Sequence, residues 1–204
     1  MTSLTKTMNR FSEDPECVET YERNCLAVAI MQDIDPMSPR DDDGNLGTMI
    51  CSHRKYNLGD EQFNSDDYEG WDDLADKLRS ERGAVIILPL GLYDHSGITI
   101  YVGDTHDRWD GGQVGYIYLT EDDLKESGLD DIKATKALQI EVETYDQYLR
   151  GEVYGYVIQD ADGEDIDSCW GFYDQEYCEN EANDVADNYV HPHKVARKAQ
   201  ELHR

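Results

Sequence analysis

The stretch Ala84-Val85-Ile86-Ile87-Leu88-Pro89-Leu90 decides the fold. It is an apolar run without alternation, which predicts a strand covered on both faces. Beyond it, Asp94-His95-Ser96-Gly97 reads as a tight turn and Ile98-Thr99-Ile100-Tyr101-Val102 as a second strand. A charged loop over residues 103–112 leads into a third strand at 113–119. Thr120 then caps a short helix, with Asp123 placed to complete a capping box. Three β-branched and aromatic strands joined by glycine-bearing turns form a sheet nucleus.

The remaining elements are read outward from this nucleus. Residues 1–23 are polar and read as a loose arm or a short helix, and 24–32 as an apolar strand. Turn formers fill 33–45, and 46–53 reads as a strand returning beside the first. A loop spans 57–65. Trp71, Leu74, Ala75 and Leu78 then give 66–82 a helical stripe, with Gly83 as its stop. Residues 130–150 form a second helix along Leu138, Val142, Tyr145 and Leu149, closed by Gly151. Strands at 153–159 and 166–173 pair as a hairpin around Asp160-Ala161-Asp162-Gly163. Asp174 caps a helix to about Tyr189, buried along Tyr177, Cys178, Ala182, Val185 and Tyr189. The expected architecture is α+β: a mostly antiparallel sheet built from hairpins, with helices packed on it. It is one domain over 24–190, preceded by a polar arm (1–23) and followed by a basic helix (191–204).

Charge is the compositional outlier. Against 45 Asp and Glu stand 18 Lys and Arg, a formal balance of −27. Direct binding to nucleic acid is disfavoured, because phosphates attract the opposite sign. Self-repulsion of this size calls for salt, a cation or a basic partner. Asp (28) outnumbers Glu (17) and Arg (10) outnumbers Lys (8), a composition also suited to concentrated salt. The five cysteines form no CxxC pair, and the first ten residues lack an apolar leader core. No run approaches the ~20 apolar residues of a membrane span. The expectation is a cytoplasmic protein with reduced thiols and no membrane contact.

Residues 160–187 carry eleven acids and no Lys or Arg. Glu176, Glu179, Asp184 and Asp187 lie off the apolar stripe of their helix, and Asp160, Asp162, Asp165 and Asp167 precede them. Carboxylates three or four residues apart on a helix stand roughly 5–6 Å apart, an array that resembles a row of phosphates. The alternative is the solvated face of a salt-adapted protein. Trp109 and Trp170, flanked by glycines and polar residues, are candidate partner anchors, or else cover the sheet.

Other motifs carry less chemistry. Asp94-His95-Ser96 has triad residue types but no nucleophile elbow, and reads as a turn. His95, His106, Asp104 and Asp107 match no standard zinc spacing. Asp160-x-Asp162-Gly163 lacks the calcium-loop register. Cys51 and His53, two apart on a strand, share a face as a conceivable thiolate–imidazole pair, or as a structural cysteine beside a histidine. No phosphate-binding or dinucleotide loop is present. No catalytic residue, metal or cofactor is assigned.

Four segments carry a resemblance: 46–49 with 53–60 (His53-Arg54-Lys55-Tyr56-Asn57-Leu58-Gly59-Asp60), 108–118, 145–156, and Ser168-Cys169-Trp170-Gly171-Phe172-Tyr173. Together they resemble an uncharacterised family of phage, plasmid and other mobile-element proteins, over about residues 46–180. The resemblance implies an accessory protein of a mobile element, a setting in which genes often counter host defence. The expected function is a non-enzymatic, acidic inhibitor. It binds a basic surface of a host or viral nucleic-acid-handling complex as a DNA mimic. One alternative is a small metal- or ligand-dependent enzyme with its site near His53, His95 and His106. Another is a salt-adapted structural or assembly protein without mimicry.

Overall fold

The computed structural model describes residues 2–94, 97–103 and 111–190. Along the chain the elements run α1 (Ser3–Ser12), β1 (Cys17–Arg23), β2 (Leu26–Gln32), β3 (Thr48–Cys51), β4 (Glu61–Gln62), α2 (Trp71–Arg82), β5 (Ala84–Asp94), β6 (Ile98–Val102), β7 (Gly111–Thr120), α3 (Glu121–Ser127), α4 (Asp131–Leu149), β8 (Tyr154–Gln159), β9 (Asp165–Phe172) and α5 (Gln175–Asn188). The class is the expected α+β with mostly antiparallel pairing, β3 and the two-residue β4 being parallel. Within the span expected as one domain (24–190), the described residues group into two compact units, one of residues 2–36 and 152–190, the other within 37–151. The sequence hides this because the second unit is an insertion, and the strands that flank it pair with each other.

In the first unit the strand order is β1-β2-β8-β9, antiparallel throughout. Residues 1–23 are therefore no loose arm: α1 packs on β1 and β2, and β1 forms an edge of the sheet. A two-residue turn joins β1 to β2, with Asn24 and Cys25 both at positive φ (47° and 60°), the geometry of a primed hairpin turn. Leu26, Val28, Ile30, Tyr156 and Ile158 meet Cys178, Ala182 and Ala186 of α5. Tyr177, expected on that stripe, is instead 57% exposed, because the buried residues follow an i, i+4 row from Cys178. Residues 191–204, expected as a basic helix, lie outside the described residues.

In the second unit the order is β4-β3-β7-β5-β6. The strand at Thr48–Cys51 does not return beside β2 as expected. It pairs antiparallel with β7, in this separate sheet. The sheet has two covered faces, but the central run is less buried than expected: Ala84 and Leu90 are buried, residues 86–89 half-buried, and Val85 51% exposed. Leu90, Leu92, Ile117 and Leu119 pack with Leu138, Val142 and Tyr145 of α4, while Tyr116, Tyr118 and Ile50 pack with Leu74, Ala75 and Leu78 of α2. Each fully buried Leu or Ile there contributes roughly 1.5–3 kcal/mol. Pro89 is tolerated mid-strand because its carbonyl accepts from Gly103 N–H (2.9 Å). Its nitrogen, on the same side, faces Gly103 just past the β5–β6 pairing that starts at Leu90, so only the reciprocal donor at the end of that ladder is lost.

Helix ends follow the sequence. Gly83 (φ 70°) stops α2, and Thr120 Oγ1 accepts from Asp123 N–H (3.2 Å). The start of α2 falls later than the expected residue 66, since residues 65–67 form a separate 3₁₀ turn and Gly70 (φ 141°) precedes the helix.

The loop before β3 is anchored by Arg40, whose side chain is only 4% exposed. Its Nε and Nη2 donate to the two oxygens of Asp60 (2.8 and 2.5 Å). Nη2 also reaches Gly47 O (2.6 Å), and Nη1 reaches Asn45 Oδ1 (3.0 Å) and Glu141 Oε2 (2.9 Å). All five donors are satisfied, which makes this buried ion cluster tolerable.

Candidate functional site

The acidic stretch of the first unit is built on the β8–β9 hairpin and α5. Asp160 closes the hairpin turn: its Oδ1 accepts from Asp162 N–H (2.8 Å) and Glu164 N–H (3.0 Å). Asp165 accepts from Gln159 Nε2 (2.8 Å), and Asp167 from the Tyr156 hydroxyl (2.9 Å). Burial, with the Asp167 carboxylate beside it, holds the Tyr156 phenol well above the usual tyrosine range.

On α5, Asp174 caps the helix by accepting from Tyr177 N–H (2.6 Å), and Glu179 accepts from Gln175 Nε2 (2.8 Å). Asp187 takes two bonds from Arg23, at 2.7 and 2.6 Å, which lower its pKa. What remains for a partner is smaller than the sequence suggested. Asp162, Glu176 and Asp184 are exposed, with no side-chain hydrogen bond or ion pair among the described residues, though Asp184 adds to the charge around Arg23.

Trp170 does not join this array. It lies directly opposite Gly155 in the β8–β9 pairing, whereas Tyr156 and Cys169 form the next pair, on the α5 side. Gly171 (φ 87°) is the extra residue that lets Phe172 return to the α5 side, a glycine bulge. The indole covers the Gly155 backbone so closely that a Cβ there would overlap it, yet Trp170 stays 46% exposed. It therefore works as a sheet cover, with the sheet between it and α5. Trp109, the other candidate anchor, lies outside the described residues.

The second unit holds a cleft of about 730 Å³, lined by Ser52, His53, Arg54 and Lys55 after β3, Gln113 of β7, and Trp71 at the start of α2. Ser52 N–H still donates to Val114 O (2.7 Å), so the chain leaves the sheet only at His53. The His53 ring stacks on Tyr56 (centroids 5.0 Å apart, 3° between planes). Its Nδ1 accepts from Lys55 N–H (3.4 Å), which places the proton of the neutral ring on Nε2. Burial, then Lys55 and Arg54, keep its pKa below the ordinary value against the pull of Asp94. Lys55 Nζ pairs with Asp94 (2.9 Å), and the Tyr56 hydroxyl donates to the same carboxylate (3.4 Å). Arg54 is exposed and has no carboxylate partner among the described residues.

His53 alone of the three expected histidines can be placed, since His95 and His106 lie outside the described residues. Among the described residues no group of three or more His, Cys, Asp or Glu is arranged to hold a metal. Cys51 and His53 do not form a reactive pair. Cys51 is fully buried, and burial pushes its thiol up to about 12. Sequence reasoning missed Arg54, Lys55, Trp71 and Gln113 as cleft residues. The available signal was His53-Arg54-Lys55, three basic side chains in a row on an acidic chain.

Among the described residues, no helix is long and apolar enough to cross a membrane. Comparison of the chain with family models, with curated proteins and with solved structures finds no match.

Proposed function

We propose that the protein is a non-enzymatic binding protein that offers nucleic-acid-like negative charge to a basic surface. Its target is a host or viral nucleic-acid-handling complex, which it inhibits in the manner of a cytoplasmic anti-defence protein of a phage or other mobile element. One observation carries this reading. Residues 2–36 and 152–190 hold 19 Asp or Glu against Lys6, Arg10 and Arg23, and Asp162, Glu176 and Asp184 remain exposed and unpartnered among the described residues. Solvated carboxylates without a hydrogen-bonded or ion-paired side-chain partner among the described residues suit the Arg/Lys channel that otherwise grips phosphates.

The test is a tagged pull-down from host lysate at about 0.1 M and about 1 M salt, where screening lengths are roughly 10 and 3 Å. It is run with the natural chain and with Asp162→Asn/Glu176→Gln/Asp184→Asn. The expected result is recovery of a nuclease or nucleoprotein complex at low salt only. Duplex DNA should displace it, and it should be absent from the variant, whose circular-dichroism melt stays unchanged. An empty eluate at both salts, or equal recovery by the folded variant, overturns the proposal.

A further inference from the structure

We infer that the cleft at His53–Lys55 in the second unit is a binding site for a phosphomonoester, with Arg54 as its main anion contact. The inference goes beyond the acidic surface, since its residues belong to the other unit. The cleft has the volume of a small-molecule site, which commonly runs about 300–1,000 Å³. Its polar wall supplies donors of three kinds: the Arg54 guanidinium, the Lys55 ammonium, and the Nε2–H of neutral His53. Ser52 and Ser65 add hydroxyls, while Trp71, Leu92 and Val114 offer an apolar wall to the rest of a ligand.

Arg54 is the telling residue. Nine other Lys or Arg of this unit lie within 4.0 Å of a carboxylate, and Arg54 has none among the described residues. A fork-shaped cation with no carboxylate within 4.0 Å among the described residues of an acidic unit fits a bidentate phosphate contact. Among the described residues Asp94 is the opposing charge lining the cleft, and it is already held by Lys55 and the Tyr56 hydroxyl. The acids elsewhere on the chain do not forbid an anion here, because charges more than about 8 Å away are largely screened at physiological salt.

The experiment is isothermal titration of the full chain with inorganic phosphate, adenosine 5′-monophosphate and adenosine. Saturable binding of the two phosphate probes and none of adenosine is expected. Arg54→Ala should weaken binding of the monophosphate on the order of ten- to hundredfold, the effect of losing a charged hydrogen-bond donor. Arg79→Ala, at an exposed pair with Asp76 on α2, should leave it unchanged. A circular-dichroism melt of Arg54→Ala matching the natural chain shows that the fold is intact. Lys55→Ala gives a second, separate reduction. Absence of saturable phosphate binding, adenosine binding as tightly as its monophosphate, or an Arg54→Ala variant with undiminished affinity each overturns the inference.

Discussion

Replacing Arg40 with alanine tests the account of the second unit most directly. The substitution removes five hydrogen bonds and leaves the Asp60 and Glu141 side chains, 23% and 15% exposed, facing an empty space. Removing one partner of a buried ion pair costs about 3–5 kcal/mol. Here the lower end applies, because each carboxylate keeps a backbone donor: Met49 N–H for Asp60 (2.7 Å) and Leu46 N–H for Glu141 (2.6 Å). Hydrogen exchange at the Ile117 and Leu119 amides of β7 reads this unit. A loss of about 3 kcal/mol lowers protection there by about two decades. Arg40→Lys should lose most of the same stability, since an ammonium offers three donors where the guanidinium satisfied five acceptors. The deficit should be nearly the same at about 1 M salt, because a buried pair is weakly screened. A fall in protection of less than about fivefold, or one that vanishes at high salt, would refute the buried-cluster account.

Three further outcomes are expected. Cys25→Gly should raise stability by about 1 kcal/mol in urea titration, since glycine relieves a side chain held at φ 60° in the β1–β2 turn; a lower midpoint would count against that turn geometry. Burial pushes the Cys51 and Cys178 thiols up to about 12, from an ordinary value of 9.0. The unfolded chain therefore releases these protons first, so stability is intact below pH 9 and falls as pH rises from 9 toward 12, read as a declining melting temperature. At about pH 8 a thiol reagent should label exposed Cys25 and Cys169 while sparing Cys51 and Cys178, and equal labelling of all four would show that the cores are open. The first unit should stay folded at about 0.1 M salt, with β2 and β8 amide protection changing less than about tenfold on going to 1 M.

Legibility followed the range of the interaction. The run at 84–90, the Thr120 and Asp174 caps, the Gly83 stop and the 154–172 hairpin are local signals, and each is present in the structure. What failed was long-range pairing. β2 and β3 follow each other in sequence, but Ile30 pairs with Tyr156 and Ile50 with Tyr116, partners that no local pattern announces. The β1 strand reads as polar (Cys17-Val18-Glu19-Thr20-Tyr21-Glu22-Arg23) because it is an edge strand with much of its surface in solvent. Arg40 looked like a loop residue among turn formers, and its role needs Glu141, 101 positions away. The acidic array was visible as composition, but which acids are free depended on partners such as Arg23 and Tyr156 that only the fold supplies.

The magnitude of repulsion on α5 separates two readings of the acidity. Its like-charged neighbours three apart are Glu176/Glu179, Glu181/Asp184 and Asp184/Asp187. At a few tenths of a kcal/mol per pair they cost roughly 1 kcal/mol together, and Arg23 relieves part of that at Asp187. On the opposite side of the same helix, Cys178, Ala182 and Ala186 complete the burial of Ile30 and Ile158, worth roughly 1.5–3 kcal/mol for each isoleucine. Packing therefore outweighs repulsion without the help of molar salt. An acidity tolerated at a small cost, where residues 2–36 and 152–190 set 19 acids against three cations, is the arrangement a partner-facing surface requires. The second unit solves the same excess differently, by placing Lys77, Arg79, Lys125 and Lys133 three or four residues from a carboxylate on their own helices or at a helix cap. Carboxylates neutralised in that way are poor imitations of a phosphate row, which is why partner binding is proposed for the first unit.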